Sequence, residues 1–157
     1  MFVSRTKSDN YETSREGWSQ ICNYIGKDKV VWAPFFCSGK QGQIFRELGF
    51  NIIHEDKDFF TYEPEYDIIV CNPPFSIMKD VCKRLKELDK PFIIVARSNL
   101  ILCSWFNNLF KEHLGVIIPN KRPHFNHIES PDKKYYPPFG TFYYSYKTDT
   151  AGRMVYI

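Results

Sequence analysis

One short loop of the sequence has residue types that suit chemistry on an aromatic amine, Asn72-Pro73-Pro74-Phe75. Its two prolines remove two backbone N–H donors and fix two φ angles, so the loop is stiff and its carbonyl groups can accept hydrogen bonds. The Asn72 side chain adds an amide oxygen as acceptor, and the Phe75 ring can stack on a base. The Asn72 oxygen and the Pro73 carbonyl can hold both N–H bonds of an exocyclic amine, which favours a pyramidal, nucleophilic nitrogen. We predict that these four residues are catalytic.

A second Pro-Pro-Phe sequence, Pro137-Pro138-Phe139, provides an internal comparison. It is preceded by Tyr136 instead of a polar acceptor, and it does not follow a buried strand. Asn72, in contrast, directly follows the continuous apolar run Asp67–Cys71, which is typical of a strand buried on both faces. We therefore interpret Tyr136–Phe139 as structural and place the chemistry at Asn72–Phe75, named the base loop.

The base loop resembles the [DNS]-P-P-[YFW] signature of amino-methyltransferases, which act on adenine N6, cytosine N4 and some glutamine amides. The variant with Asn first and Phe last, followed by Ser76, is similar to that of restriction-modification adenine methylases and related viral or phage proteins. The resemblance implies S-adenosylmethionine as the cofactor and an adenine amino group in nucleic acid as the methyl acceptor, with DNA favoured over RNA.

The segment Ala33–Gly39, the cofactor loop, resembles the D-P-F-x-G-x-G loop of the same enzymes. Pro34, Phe35 and Gly39 match that pattern, whereas Ala33 replaces the leading acid and Cys37 replaces the first glycine. The resemblance implies that Pro34, Phe35, Cys37 and Gly39 contact the cofactor. The alternative is a plain turn between a strand and a helix.

Acidic and aromatic residues between the two loops provide the remaining cofactor candidates. An acid after the second strand of such folds binds ribose hydroxyls, for which we favour Glu55 or Asp56. The resemblance implies that Asp58 and Phe59 contact the cofactor's adenine, although the segment lacks room for the usual intervening helix and strand. The alternative is a solvated acidic loop.

The N-terminal segment Asp9–Thr13 resembles the arm of phage adenine methylases that borders the cofactor's carboxylate. This similarity implies that Tyr11 and Thr13 contact the cofactor, and a plain surface arm is the alternative.

Basic and polar residues near two later strand ends are candidates for contacts with nucleic-acid phosphates. Arg97 and Ser98 follow the fourth predicted strand, and Lys121, Arg122 and His124 follow the fifth. The alternative is an ordinary charged surface. His124 and His127 lack further ligands nearby in the sequence, so we expect no metal site.

Apolar runs and helical periodicity alternate along the chain, which predicts an α/β fold with a mostly parallel sheet. Helices are predicted at Ser14–Tyr24, Gln41–Leu48, Met78–Leu88 and Trp105–His113. Strands are predicted at Lys29–Trp32, Phe50–Ile53, Asp67–Cys71, Pro91–Ala96 and Val116–Ile118. Pro123–Phe125 and Thr141–Tyr146 lack a helix between them and predict an antiparallel hairpin at the C-terminal edge of the sheet. Together with this pattern, the resemblance of the two loops implies a Rossmann-like class I methyltransferase fold.

Length and composition are those of one domain with a single core, 157 residues of which 43% are hydrophobic. We expect a methyltransferase domain over residues 1–157, with an N-terminal arm at 1–13 and no separate target-recognition domain. Five cysteines without a C-x-x-C pair argue against a disulfide framework or a zinc ribbon. The sequence has neither an apolar leader nor an apolar run of membrane-spanning length, so we expect a soluble intracellular protein without membrane contact.

The sequence leaves three functional alternatives open. The first is an active adenine methyltransferase that has low sequence specificity, acts as a homodimer or obtains recognition from a separate subunit. The second is a catalytically weak or inactive subunit that binds nucleic acid or a protein, which the changes at Ala33 and Cys37 favour. The third keeps the chemistry but methylates a glutamine amide in protein; the net charge of +3 and the aromatic fraction of 17% weigh mildly against it.

Overall fold

The computed structural model describes residues 9–157, so residues 1–8 of the predicted N-terminal arm lie outside the described part of the chain. The helices are α1 (Arg15–Ser19), α2 (Lys40–Glu47), α3 (Met78–Leu88) and α4 (Ser104–Phe110). The strands are β1 (Tyr11–Thr13), β2 (Val30–Trp32), β3 (Asn51–Ile53), β4 (Ile68–Cys71), β5 (Phe92–Arg97), β6 (Leu114–Ile118), β7 (Phe125–His127), β8 (Ser130–Tyr135), β9 (Thr141–Tyr146) and β10 (Met154–Tyr156).

The main sheet has seven strands in the order β3-β2-β4-β5-β9-β6-β10. All of its strands are parallel except β9, which is antiparallel to both of its neighbours. Between β3 and β4 the chain forms no helix or strand, as the short acidic segment predicted. The mostly parallel Rossmann-like fold with an antiparallel strand toward the C-terminal edge is therefore confirmed.

The strand pairing of that antiparallel region differs from the predicted hairpin. Strand β9 lies between β5 and β6, and Phe125 pairs instead with Thr13 and Tyr135 in a small second sheet of order β1-β7-β8. The reason lies in β9 itself, where the adjacent residues Tyr143 and Tyr144 are both fully buried. Adjacent strand residues face opposite sides of a sheet, so a strand buried on both sides is most stable between two others.

Two apolar layers enclose the main sheet. On one face, α1 and α2 bury residues such as Trp18 and Phe45 against the sheet, and on the other α3 and α4 bury residues such as Leu85 and Phe106. The predicted first helix ends early: Ser14 caps α1 by accepting a hydrogen bond from the Gly17 amide, and a 3₁₀ turn follows at Cys22–Tyr24. No helix within residues 9–157 is long and apolar enough to cross a membrane.

Candidate functional site

The two motif loops emerge side by side from the main sheet. Strand β2 is followed by the cofactor loop and its neighbour β4 by the base loop, with Trp32 opposite Ile69 in the register. After β2 the chain continues to β3 on one side of this pair, and after β4 it continues to β5 on the other side. The strand order therefore reverses its direction between β2 and β4. Such a switch point opens a crevice beyond the carboxyl ends of the strands, where ligands bind in folds of this type.

Two adjoining cavities occupy this crevice. The base-side cavity is lined by the four residues of the base loop, together with residues from later strand ends such as Arg97 and Phe139. The cofactor-side cavity is lined by Phe35, Phe36 and Cys37 of the cofactor loop and by Glu12 and Thr13 of β1, among others. Three residues belong to both linings, namely Tyr11, Cys37 and Asn72. A ligand in one cavity would therefore lie next to a ligand in the other.

The Asn72 side chain has a defined orientation at the wall between the cavities. Its amide nitrogen donates a hydrogen bond to the Tyr11 carbonyl oxygen over 3.4 Å. The side-chain oxygen consequently points away from Tyr11, and within residues 9–157 it accepts no hydrogen bond. The oxygen is thus open to a donor on a ligand, as the predicted role of Asn72 requires.

Aromatic rings surround the base-side cavity. The rings of Phe75 and Phe139 lie 5.8 Å apart, centroid to centroid, with an interplanar angle of 53°. The Arg97 guanidinium lies 4.4 Å from the Phe139 centroid and 5.8 Å from that of Phe75. On another side, Tyr11 stacks on Tyr135 with the ring centroids 4.4 Å apart. A flat heteroaromatic ligand therefore meets stacking partners in several directions.

The second Pro-Pro-Phe sequence, which we interpreted as structural, lies beside the base loop. Pro137 and Phe139 line the base-side cavity, because the segment before β9 reaches the same edge of the sheet as the base loop. Arg97 stands opposite Thr141 in the register, and the Ser98 amide donates to the Gly140 carbonyl over 2.9 Å. No local signal identified Phe139, because its position depends on the insertion of β9 beside β5.

Two residues of the cofactor loop have a left-handed backbone conformation. Cys37, at the position of the first glycine, has φ of 51°, and Gly39 has φ of 82° and forms the N-cap of α2. Both values lie in the left-handed region that glycine adopts readily. Of the other predicted contacts, Phe35 and Cys37 line the cofactor-side cavity, whereas Pro34 is buried and is absent from its lining.

The structure reveals His54 as a support of this loop that the sequence did not single out. Its Nδ1 lies 2.8 Å from the Ala33 carbonyl oxygen, to which it donates, and its ring centroid lies 5.0 Å from that of Phe36. Burial lowers the pKa of His54 and so favours the neutral imidazole, which can still donate from Nδ1. The side chain thus holds the start of the cofactor loop without adding a charge near neutral pH.

An unpaired hydroxyl provides a test of whether the residues present fit S-adenosylmethionine. Thr13 Oγ1 is buried in the wall of the cofactor-side cavity and has no hydrogen-bond partner within the described range. Buried polar atoms are normally paired, so this atom indicates a missing polar group such as a ligand's carboxylate. Together with the rings of Trp18 and Phe35, it gives the cavity the mixed polar and apolar lining that such a cofactor needs.

The predicted ribose and adenine contacts lie outside the lining of both cavities. Glu55 accepts a hydrogen bond of 2.9 Å from the Tyr62 hydroxyl, which raises the pKa of Tyr62. Asp58 accepts a hydrogen bond of 2.9 Å from the amide of residue 60, and Asp56 is exposed. Phe59 is buried, with its ring 5.2 Å from that of Phe35, and so lies next to the cavity wall. The structure therefore does not gather these residues with the two loops.

The predicted phosphate contacts are also dispersed. Arg97 lines the base-side cavity and Lys121 is exposed, whereas Arg122 is engaged in donating to the Pro137 carbonyl. His124 is buried, with 7% exposure, and its Nε2 lies 3.6 Å from a carboxylate oxygen of Glu16. The chain turns inward at His124 to pair with β1, which removes this side chain from the accessible rim. Within residues 9–157, no cluster of three His, Cys, Asp or Glu side chains could hold a metal ion.

Comparison with known proteins adds family evidence. Residues 38–135 match the model of the family described as adenine-specific methyltransferase EcoRI. The type II methyltransferase M.EcoRI of Escherichia coli is 33% identical over 114 residues. That alignment covers 68% of this chain but 34% of the relative, so the chain spans about a third of that protein's length.

Two solved structures share the fold at low sequence identity. A dimethyladenosine transferase from Plasmodium falciparum superposes with a TM-score of 0.53 and 12% identity, covering 83% of this chain and 60% of its own. A protein described as an RNA methyltransferase from Pyrococcus horikoshii gives a TM-score of 0.56 and 10% identity, with 94% and 92% coverage. At these identities the similarity concerns the fold alone.

Proposed function

The chain belongs to the EcoRI family of adenine-specific methyltransferases, and on that premise we propose that it transfers a methyl group from S-adenosylmethionine to the N6 amino group of adenine, in DNA in preference to RNA. The observation that carries the proposal is the position of Asn72, which lines both cavities and whose side-chain oxygen accepts no hydrogen bond from residues 9–157. An amine held there would lie at the boundary with the cofactor-side cavity.

The base loop supplies the groups that make the amine reactive. The Asn72 side-chain oxygen and the Pro73 carbonyl accept the two N–H bonds, which draws the nitrogen lone pair out of conjugation with the ring. Phe75 stacks on one face of the base and holds it in place. No strong general base is required, because the amine proton is released to water after the new bond has formed.

The cofactor loop and β1 supply the second half of the site. Phe35, Cys37 and Thr13 would hold the cofactor, with the Thr13 hydroxyl hydrogen bonding to its polar end. S-adenosylmethionine held there would supply the electrophilic methyl carbon for the amine nitrogen, and its sulfur would be the leaving group that retains the electrons of the carbon–sulfur bond. Asp58 with Phe59, and Glu55 or Asp56, remain proposed contacts for the adenine and ribose ends.

Nucleic acid would approach over the aromatic and basic rim of the base-side cavity. Arg97 and Tyr135 line this cavity, and elsewhere on the described surface Lys121, Lys133 and Lys134 are exposed. Such residues stack on bases and neutralise phosphates. The target adenine must leave its helix or arrive in a single strand in order to reach the Asn72 oxygen. A homodimer or a recognition subunit would add sequence specificity to so small a domain.

A product analysis tests the proposed reaction. The protein is incubated with isotopically labelled S-adenosylmethionine and, separately, with single-stranded DNA, duplex DNA, RNA and a protein mixture, and the digested products are identified. We expect labelled N6-methyladenine, with more from DNA than from RNA. Label in glutamine amide would favour the protein substrate, and no label despite cofactor binding would favour a non-catalytic subunit.

A pair of substitutions at one position makes that test specific. Asn72→Ala removes the acceptor and should lower kcat by about 10²–10³-fold, in line with the loss of one aligned hydrogen-bonding group in an active site. Asn72→Asp retains an acceptor oxygen and should keep more of the activity, although it loses the hydrogen bond to Tyr11. Equal rates for wild type and Asn72→Ala would remove the proposed catalytic role of this residue.

A further inference from the structure

One short segment at the start of the described chain contacts both motif loops. Residues 9–13, named the brace, include β1, which pairs with β7 of the small sheet. The Asp9 carboxylate accepts hydrogen bonds from the amide and the hydroxyl of Ser76, directly after the base loop. The Tyr11 carbonyl accepts the hydrogen bond from Asn72, so the brace fixes both ends of the base loop.

Glu12 of the brace makes the corresponding contact with the cofactor loop. One carboxylate oxygen accepts from the Ser38 amide over 2.9 Å, and the Ser38 hydroxyl lies 2.6 and 2.7 Å from the two oxygens. Hydrogen bonds to an ionised carboxylate are shorter and stronger than neutral ones. Glu12 also lines the cofactor-side cavity.

The residue that Glu12 holds lies in the most constrained part of the loop. Ser38 is flanked by Cys37 and Gly39, both with positive φ. A non-glycine residue in the left-handed region costs roughly 1–2 kcal/mol, and it persists only where surrounding contacts determine the conformation. The Ser38 amide and hydroxyl are hydrogen-bond donors next to Cys37. Both donate to the carboxylate of Glu12, which lies in β1.

We propose that Glu12 is a positioning residue for the cofactor loop, and that the brace sets the spacing between the cofactor loop and the base loop. The cofactor role rests on the proposed function. Glu12 touches no reacting atom; it keeps Cys37 in its left-handed conformation, so that the cofactor-side cavity is formed before the ligand binds. Cofactor affinity therefore depends on the attachment of β1 to the loop.

Calorimetric binding of S-adenosylmethionine tests the role of Glu12. Glu12→Ala and Ser38→Ala should each weaken binding, the former by tenfold or more, and the double variant should be no weaker than Glu12→Ala because the two side chains act as a unit. Glu12→Gln keeps an acceptor oxygen without the charge and should lie between wild type and Glu12→Ala. Glu63→Ala is the control, because Glu63 is an exposed glutamate whose partner is Lys90 at the opposite end of the sheet. The affinity of this variant for the cofactor should stay within twofold of wild type.

A second measurement does not depend on the cofactor. Hydrogen exchange at the Ser38 amide should accelerate at least tenfold in Glu12→Ala, while the thermal midpoint stays close to that of wild type. If wild type binds the cofactor and Glu12→Ala binds equally well, the brace proposal is wrong and the proposed function stands. If wild type binds no cofactor, the proposed function fails, and the exchange rate at Ser38 still decides whether Glu12 positions the loop.

Discussion

Replacing Phe139 by alanine should impair methyl transfer without affecting the cofactor half of the site. Phe139 lines the base-side cavity with its ring 5.8 Å from that of Phe75, and it contacts Arg97 through its face. It is absent from the lining of the cofactor-side cavity. A base stacked on Phe75 would therefore lose its second aromatic neighbour, whereas the affinity for S-adenosylmethionine should stay the same.

The expected loss of activity follows from the stacking energy that the Phe139→Ala substitution removes. Base–aromatic stacking contributes about 1–3 kcal/mol per base. Because about 1.4 kcal/mol corresponds to a factor of ten, kcat/KM for nucleic acid should fall by roughly 5- to 150-fold. Phe139 is half-buried, so the folding cost should remain below the roughly 3–5 kcal/mol of a fully buried phenylalanine. Arg97 also loses the closer of its two ring partners, which adds to the effect.

The assay is the initial rate of label transfer over a series of DNA concentrations, combined with calorimetric cofactor binding. Phe139→Tyr keeps the ring and should stay near wild type. Phe142→Ala is the control, because this half-buried ring packs beside Tyr144 and is not part of the cavity lining. If Phe139→Ala and Phe142→Ala had the same kcat/KM as wild type, the second Pro-Pro-Phe sequence would be structural after all, and the assignment of the cavity to the base would be refuted.

Three further outcomes can be measured independently. Arg97→Ala should weaken nucleic-acid binding about equally for all sequences and lower the slope of log affinity against log salt by about one, as measured by fluorescence anisotropy. Gly115→Ala should lower the thermal midpoint by roughly 6–12 °C, because its new Cβ would lie 2.3 Å from the Thr150 carbonyl oxygen and the overpacking costs about 3 kcal/mol. The hydrogen bond from Lys147 lowers the pKa of Asp89 to about 2, so its stabilisation is present above the ordinary pKa of about 4 and is lost as the pH falls through 2. Unfolding of Asp89→Asn should accordingly depend less on pH between about 2 and 4 than unfolding of wild type.

The fold could be predicted where a single segment carries its own pattern. The helix Met78–Leu88 and the strand Thr141–Tyr146 have the predicted boundaries, because apolar periodicity defines each of them locally. The partners of Thr141–Tyr146 could not be predicted, since pairing depends on what lies on either side of the sheet. Strand β8 was missed as well, because Ser130–Tyr135 is exposed along its whole length and carries no apolar alternation.

The candidate site likewise has one part that the sequence predicts locally and another part that depends on the fold. The base loop was recognisable because its strand and its four residues are contiguous in the sequence. His54 and Glu12 contribute through contacts with Ala33 and Ser38, which lie 21 and 26 positions away in the sequence, and Phe139 through contacts with the still more distant Phe75 and Arg97. No spacing rule predicts such contacts, because they depend on which strands become neighbours. His124 shows the reverse error, since its place among basic residues suggested exposure whereas strand pairing buries it.

The two departures of the cofactor loop from its motif have different physical consequences. At position 37 Cys37 adopts the left-handed conformation that glycine adopts readily, at a cost that the proposed role of the Glu12–Ser38 hydrogen bonds would offset. At position 33 a side-chain carboxylate is missing, but the Ala33 carbonyl is held by His54 and the loop receives its carboxylate from β1. A changed motif residue therefore argues less strongly against function where another residue can supply a similar conformation or charge. Here Cys37 has a left-handed backbone, and Glu12 brings a carboxylate to the loop from β1.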